Sequence, residues 1–392
     1  MTRFHLDIPF NRPHATGREF DYIQEAIQGL HLSGNGPFGA RCEAWLEERT
    51  HARSAMLTPS CTAALELAAL LAGIESGDEV IMPSFTFSST ATAFVLRGAT
   101  PVFVDIREDT LNIDETLVEG AVTARTRAVV PVHYAGVGAE LDPLRSIAEQ
   151  HGLVLIEDAA QAVGSTYRGR PLGGDGDYAA LSFHETKNVM CGEGGALLVN
   201  VPDAVSRAEI MREKGTDRAR VFRGEIDKYT WRDVGSSFLL SEVNAAFLWA
   251  QLESADEITA ARRIVWSAYH AGFAGLEEDE LARRPVVPEH CAHNAHLYYL
   301  LLPDLATRDR LIEALRREGI AALFHYVPLH TSEAGRRFGR AYGELPVTDS
   351  ASQRVLRLPL WVGLGEAEVE RVVDAVTDAL RAEQAGAWAA RA

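Results

Sequence analysis

Between residues 54 and 200, short apolar runs alternate with stretches whose apolar residues recur every three or four positions. SAMLT, EVIMP, PVFVDI, AVVPVHY and LVLIED have the length and β-branched content of strands, and TAALELAALLAG, SSTATAFVLRG and DPLRSIAEQHG have the period of helices. VVPVHY and LVLIED are apolar at both alternating positions, as strands covered by helices on both faces must be. The pattern predicts an α/β layer with a mainly parallel sheet, and it directs attention to polar residues at the strands' C-terminal ends, where ligands of open α/β sheets gather.

Residues 177–200 break the alternation. DYAALSFH and GGALLVN are two strand-like runs, and a hairpin excursion or two sheet strands both fit them. From 239 to 275 the pattern is long and helical, as a connection to a second domain would be. Beyond it HLYYLLLP and ALFHYVPLH read as strands, and RDRLIEALRREG and GEAEVERVVDAVTDALRAE as amphipathic helices. The expected division is a large domain over 1–250 and a smaller α+β domain over 251–392, with QAGAWAARA as a frayed tail.

Composition narrows the function classes. With 47% hydrophobic and 24% charged residues, the chain is an ordinary globular protein. A net charge of -17 and the lack of any basic run argue against a nucleic-acid surface. No apolar stretch reaches the roughly 20 residues of a membrane helix, and MTRFHLDIPF lacks the apolar core of a signal peptide, so a soluble cytoplasmic protein is expected. Cys42, Cys61, Cys191 and Cys291 are widely spaced, which fits buried thiols in a reducing compartment.

Lysine occurs only at Lys187, Lys214 and Lys228; every other basic side chain, histidine aside, is arginine. Lys187 stands in SFHETKNVMCGEGGALLVN, between the two strand-like runs. A primary amine there is either an exposed turn residue or a Schiff-base nucleophile whose pKa burial lowers. Three neighbours bear on that choice. Asp158 ends the apolar strand LVLIED, where it either caps the following helix or meets a cation such as a protonated pyridine nitrogen. In LTPSCTAALELAALLAG, the residues Ser60, Cys61 and Thr62 open a helix and either cap it or offer its N–H groups to a phosphate. Phe85 and Phe87 in PSFTFSSTATAF are core residues or the cover of a planar ring. Together the four features are what pyridoxal 5'-phosphate (PLP) requires.

TPSCTAALELAALL, GDEVIMPSFTFSSTATAFVLRGA, NIDETL, VPVHYAGV, SFHETKN, GEGGA, REKGT, DKYTWRDVGSS and FHYVPLH resemble the DegT/DnrJ/EryC1/StrS sugar aminotransferases, and within them the dTDP-4-amino-4,6-dideoxygalactose transaminases. The resemblance implies fold type I architecture (aspartate aminotransferase-like), a PLP cofactor that becomes pyridoxamine 5'-phosphate in the half-reaction, and a homodimer with shared active sites. It implies a nucleotide-sugar substrate, dTDP-4-keto-6-deoxyglucose, and L-glutamate as amino donor. Lys187 would carry the cofactor and shuttle the proton, and Asp158 would pair with the ring nitrogen. Gln161 would touch the ring oxygen, Phe87 would stack on the ring, and Cys61, Thr62 and Ser182 would hold the phosphate. Many relatives have a Gly-x-Asn-x-Arg stretch whose asparagine reaches the phosphate across the dimer; here GSSFLLSE puts Ser237 at that position. Sugar contacts are expected from His184, His325, Tyr326 and His330. Relatives with histidine in place of the lysine are dehydratases, so Lys187 favours transamination.

Alternatives are the gluco epimer of the product, a 3-keto sugar as substrate, and a PLP-binding sensor without turnover. From a different class comes a metal-binding or regulatory protein built on His290, Cys291, His293 and His296 of HCAHNAH, a cluster that opens a strand and lacks a second ligand pair.

Overall fold

The computed structural model describes residues 6–386. The expected C-terminal tail lies outside the described residues from 387 onward. In the first half of the chain the strands are β1 (Ser54–Thr58), β2 (Glu79–Pro83), β3 (Thr100–Val104), β4 (Thr126–Val129) and β5 (Val154–Asp158). After them come β6 (Thr166–Tyr167), β7 (Arg170–Pro171), β8 (Tyr178–Ser182) and β9 (Gly195–Val199). The last part of the chain adds β10 (Cys291–Ala292), β11 (Tyr298–Leu301), β12 (Leu323–Phe324), β13 (Arg340–Ala341) and β14 (Val355–Leu358).

The main sheet runs β1-β9-β8-β5-β4-β2-β3-β13. Only β9 is antiparallel to its neighbours, so the C-terminal ends of β1, β2, β5 and β8 share one edge. The two runs of residues 177–200 are therefore both things at once, a hairpin and two sheet strands. Alternation explains the double cover. Ile81, Val102, Val104, Val129 and Leu155 pack under the helices Glu115–Ala121 and Leu141–His151. Their neighbours Val80, Met82, Phe103, Ala128 and Ile156 pack on the other face with Cys61–Leu71 and Ser88–Val95. Each such fully buried aliphatic side chain contributes about 1.5–3 kcal/mol, which holds the strand ends in place.

The helical stretch 239–275 is two helices, Glu242–Glu253 and Ala255–Gly272, separated at Ser254. The first packs on the helices Glu19–Gln28 and Pro37–Thr50, the second on Glu366–Gln384. The expected boundary after residue 250 thus falls inside a helix that belongs to the large sheet's layer. A second sheet, β11-β14-β12, centres the smaller lobe. Segments cross between the lobes: Ile8 bridges Ile320, and β13 joins the edge of the main sheet beside β3. ALFHYVPLH is strand only over β12; Pro328 has no N–H for a ladder, and the amide of Leu329 instead donates to the Ser84 carbonyl just after β2.

Candidate active site

A cavity of about 580 Å³ opens at the C-terminal edge of the main sheet, where β14 and the segment after β12 close over it. Of the residues singled out in the sequence, Cys61, Thr62, Phe87, Asp158, Gln161, Ser182, His184, Lys187, His325 and Tyr326 line it.

Asp158 is 4% exposed at the end of β5. Its Oδ2 accepts from the Thr90 hydroxyl at 2.7 Å and its Oδ1 from the Ala160 amide at 3.2 Å. No helix follows Asp158, because residues 159–164 form turns, so the expected helix cap is absent and the Ala160 bond is a local Asx-type turn. Among the described residues no ammonium, guanidinium or imidazole is in ion-pair contact with this carboxylate. A buried anion with two hydrogen bonds and no cation in contact with it, facing a cavity, is half of an ion pair.

Lys187 lies half-buried in the β8–β9 connection, where its amide donates to His184 O at 2.8 Å to close a turn. Burial lowers the affinity of its amine for a proton, while Cys61 and Asp158 pull in the opposite direction. The same Asp158 charge, behind burial, helps push the Cys61 thiol well above its usual range.

The helix Cys61–Leu71 starts at the end of β1, with Ser60 Oγ accepting from the Ala63 amide at 3.1 Å. That cap leaves the amides of Cys61 and Thr62 without a helical acceptor. Thr62 Oγ1 donates to Ser89 Oγ at 2.8 Å, which ties two helix starts together beside the cavity. Gly195 makes this approach possible: a Cβ there would sit inside van der Waals contact with the Cys61 amide nitrogen. Across β9, Ser182 pairs with the same Gly195, which sets its hydroxyl by the helix start.

Gln161 is fixed at both ends of its amide. Its Oε1 accepts from the Ala135 amide at 2.8 Å, and its Nε2 donates to the Tyr326 hydroxyl at 3.1 Å. Tyr326 stacks edge-on against Phe85 at 5.4 Å, so Phe85 is a core residue that supports the wall. Phe87, by contrast, is 61% exposed with its ring over the opening. His325 Nδ1 meets the Tyr134 hydroxyl at 3.1 Å. Burial, with Arg357 and Lys187 nearby, holds His325 well below the usual histidine range.

Two of the singled-out residues stand elsewhere. His330 is outside the lining; its Nδ1 meets Ser84 Oγ at 2.7 Å and its Nε2 meets Asp349 at 3.3 Å, so its ring is used in fastening the segment after β12 to β2. Ser237 is exposed and also outside the lining, bridged by its backbone to Glu213.

The HCAHNAH side chains diverge. His290 bonds Glu140 at 2.8 Å, Cys291 reaches the Gly138 carbonyl at 3.9 Å, His293 packs on Trp266 at 4.4 Å and His296 meets Asn188 Oδ1 at 3.0 Å. Among the described residues no three potential ligands converge.

Sequence reasoning missed Thr90, Arg262 and Arg357, and placed His296 only in the metal alternative; all but Thr90 line the cavity. Arg357 had a signal, a single charge in the apolar strand VLRLPL, with Leu356 and Leu358 buried on the opposite side. Thr90 had none, because its role depends on a carboxylate 68 residues away.

Residues 13–377 match the DegT/DnrJ/EryC1/StrS aminotransferase family. The chain is 34% identical over 382 residues to the spore coat polysaccharide biosynthesis protein SpsC of Bacillus subtilis (strain 168), covering 95% of this chain and 97% of that one. Among solved structures, DesV of S. venezuelae, in complex with a ketimine intermediate, superposes with a TM-score of 0.87 at 34% identity, covering 95% of this chain and 98% of that one. The PMP-form of the putative sugar aminotransferase Spr1654 of Streptococcus pneumoniae gives 0.88 at 26% identity, covering 96% and 99% of the two chains; its PLP-form is also known.

The residues present fit pyridoxal phosphate. In one cavity the buried Asp158 would suit a ring nitrogen, the free amides of Cys61 and Thr62 a phosphate, and Lys187 a carbonyl carbon. The architecture is the expected fold type I, a large mainly parallel sheet with its site at the strand ends. With the match spanning nearly its whole length, the chain belongs to the DegT/DnrJ/EryC1/StrS aminotransferase family.

Proposed function

We propose that this protein aminates a nucleotide-linked 4-keto-6-deoxy sugar, converting dTDP-4-keto-6-deoxy-D-glucose to dTDP-4-amino-4,6-dideoxy-D-galactose with L-glutamate as donor. The observation that carries the reading is the pairing, in one cavity, of an uncompensated buried carboxylate with a lysine whose amine is partly desolvated. Similarity to SpsC, a spore coat polysaccharide biosynthesis protein, and to Spr1654, a putative sugar aminotransferase, supports a sugar as the substrate.

Bound PLP supplies an electron sink for the pair left behind when a proton leaves the amino-bearing carbon. Everything else falls to the chain. The Nζ of Lys187 takes that proton and returns it, and burial raises the fraction of neutral amine that can do so. Asp158 keeps a proton on the ring nitrogen, and the hydrogen bonds from Thr90 and Ala160 fix its carboxylate in one orientation. The amides of Cys61 and Thr62, with the hydroxyls of Thr62 and Ser182, hold the phosphate. Gln161, locked by Ala135 and Tyr326, holds the ring oxygen. Phe87 covers the ring, and His184, His325 and Tyr326 receive the sugar.

A homodimer is part of this reading. Ser237 is exposed on the single chain, and the resemblance gives its position to a second copy's phosphate site. The setting is cytoplasmic, in keeping with four buried free cysteines. Among the described residues no helix is long and apolar enough to cross a membrane.

The test is to incubate the protein with PLP, L-glutamate and dTDP-4-keto-6-deoxyglucose and to read the coupling between sugar protons 3 and 4 by NMR. A small coupling gives the axial amine of the galacto product. A large coupling gives the gluco epimer and overturns the stereochemical part of the reading, and an amine at carbon 3 overturns the regiochemical part.

A further inference from the structure

Five cationic or potentially cationic side chains besides Lys187 line the cavity: His184, Arg262, Arg357, His296 and His325, of which His184 has both ring nitrogens engaged, Nδ1 with Thr186 Oγ1 at 2.9 Å and Nε2 with Glu193 at 3.7 Å. They are not equivalent. Arg262 spends its guanidinium on its own lobe, with Nε donating to Ala295 O at 3.1 Å and Nη2 to His296 O at 2.6 Å. His296 and His325 are held well below the usual histidine range, by burial first, and are neutral at pH 7. Arg357 differs from the other four. It projects from β14, backed by the ring of Phe10 at 4.8 Å, and Nη2 makes one bond, to Phe324 O at 3.1 Å. Its Nε is buried and has no hydrogen-bond partner.

A buried guanidinium N–H without an acceptor is costly, a cost a fold avoids unless a ligand removes it. The group that satisfies Nε and Nη together is a planar anion, a carboxylate, bound side-on. Two substrates must use this cavity in turn under the proposed function. A sugar keto group carries no charge beside its reacting carbon, and its diphosphate is separated from that carbon by the ring. An amino acid carries a carboxylate directly on its reacting carbon. The Arg357 charge is felt at Lys187, the residue that serves that carbon.

We infer that Arg357 is the donor-specificity residue, binding a carboxylate of the amino-acid donor and leaving the sugar half-reaction to the neutral wall of His325, Tyr326 and His296. The inference rests on the proposed function and adds to it how one site accepts an anionic donor and then a sugar.

The test separates the two half-reactions in single turnovers, glutamate with the PLP-loaded enzyme and the keto sugar with the pyridoxamine-loaded enzyme, in wild type, Arg357→Gln and Arg357→Lys. Calorimetric binding of glutarate, a dicarboxylate without an amine, gives a readout independent of turnover, and circular dichroism checks that each variant folds. Arg357→Gln is expected to lower the ratio of donor to sugar half-reaction rates at limiting substrate by about 10- to 100-fold, the range for a lost charge-assisted bond, and to weaken glutarate in parallel. Arg357→Lys, which keeps the charge without the planar fork, is expected to recover part of both. Equal loss in the two half-reactions, loss confined to the sugar half, no change in the ratio, or a lysine variant no better than glutamine would each overturn the assignment. A wild-type enzyme that turns glutamate into 2-oxoglutarate but aminates no keto sugar would instead sink the proposed function and leave Arg357 in place.

Discussion

Replacing Asp158 by asparagine tests the reading of the cavity as half of an ion pair, because it removes charge while keeping shape. The introduced amide can accept from the Ala160 N–H through its oxygen, and its nitrogen can donate to Thr90 Oγ1. The Thr90 hydroxyl can then turn to donate to Thr86 Oγ1, 2.8 Å away, in a bond that works in either direction. No hydrogen bond is lost, so only the electrostatic contribution changes. Without cofactor, a carboxylate that is 4% exposed and has no cation in contact, with Lys187 acting on it only at a distance, destabilises the fold, and neutralising it should raise stability by about 1–3 kcal/mol. With the usual unfolding entropy per residue, that is a rise of about 1–4 °C in the Tm of the cofactor-free protein. With cofactor the sign reverses: removing one partner of a buried pair costs about 3–5 kcal/mol, so PLP should raise the variant's Tm far less than it raises the wild type's. If at least about 3 kcal/mol of that pairing is expressed in the transition state, kcat falls by roughly 100-fold or more. The assay is scanning calorimetry of both proteins with and without PLP, alongside transamination rates. A cofactor-free variant that melts below wild type, or a PLP-induced shift equal to that of wild type, would refute the reasoning.

Lys187→Ala should abolish transamination and the visible absorbance of lysine-bound PLP; an unchanged spectrum would remove Lys187 from that role. In the same variant the titration of His325 and His296, followed by NMR, should move up, because the Lys187 charge helps to keep both low. Gly195→Ala forces a methyl group against the Cys61 amide, so the helix start must lift; PLP affinity should fall by about tenfold while the far-UV spectrum is retained. His293, pressed against Trp266 beside Arg263, is pushed down to about 4 by burial. Its native form therefore binds fewer protons than the unfolded chain between about pH 4 and 6.5, so it makes stability rise with pH across that window, by up to about 3 kcal/mol. His293→Gln should flatten that part of a Tm against pH curve, and an unchanged slope would discount the buried histidine.

The strands around the site were legible because each apolar run is buried on both faces and is therefore apolar at every position. Lys187 stood out because lysine is rare in this chain, and Asp158 because it ends an apolar strand. What the sequence did not reveal depends on distance in the chain. The Thr90 hydroxyl finds Asp158 only once the helix Ser88–Val95 is laid beside β5, and His330 left the cavity only because Ser84 and Asp349 take its two nitrogens. ALFHYVPLH has the alternation of a strand, yet Pro328 and the bond from Leu329 to Ser84 end the pairing after Phe324. The helical run 239–275 hid its break at Ser254, since serine is a tolerated helix residue and its apolar period continues on both sides.

The order of strands in the main sheet also constrains how the protein is made on the ribosome. Among the described residues β1 pairs with β9 alone, and although the helix Pro37–Thr50 packs on β1, the helix Glu19–Gln28 and the other side of Pro37–Thr50 find their partner in Glu242–Glu253, so the covering of the first fifty residues is completed only some two hundred residues later. Until then the apolar cluster of Phe38, Leu46 and Leu57 is incomplete, and the exposed surface favours aggregation of the nascent chain. A fragment ending at residue 250 would carry the edge strand but cut the helix that covers that cluster, so shortened forms of this enzyme should be recovered as aggregates, whereas a cut after Ser254 would leave that helix whole.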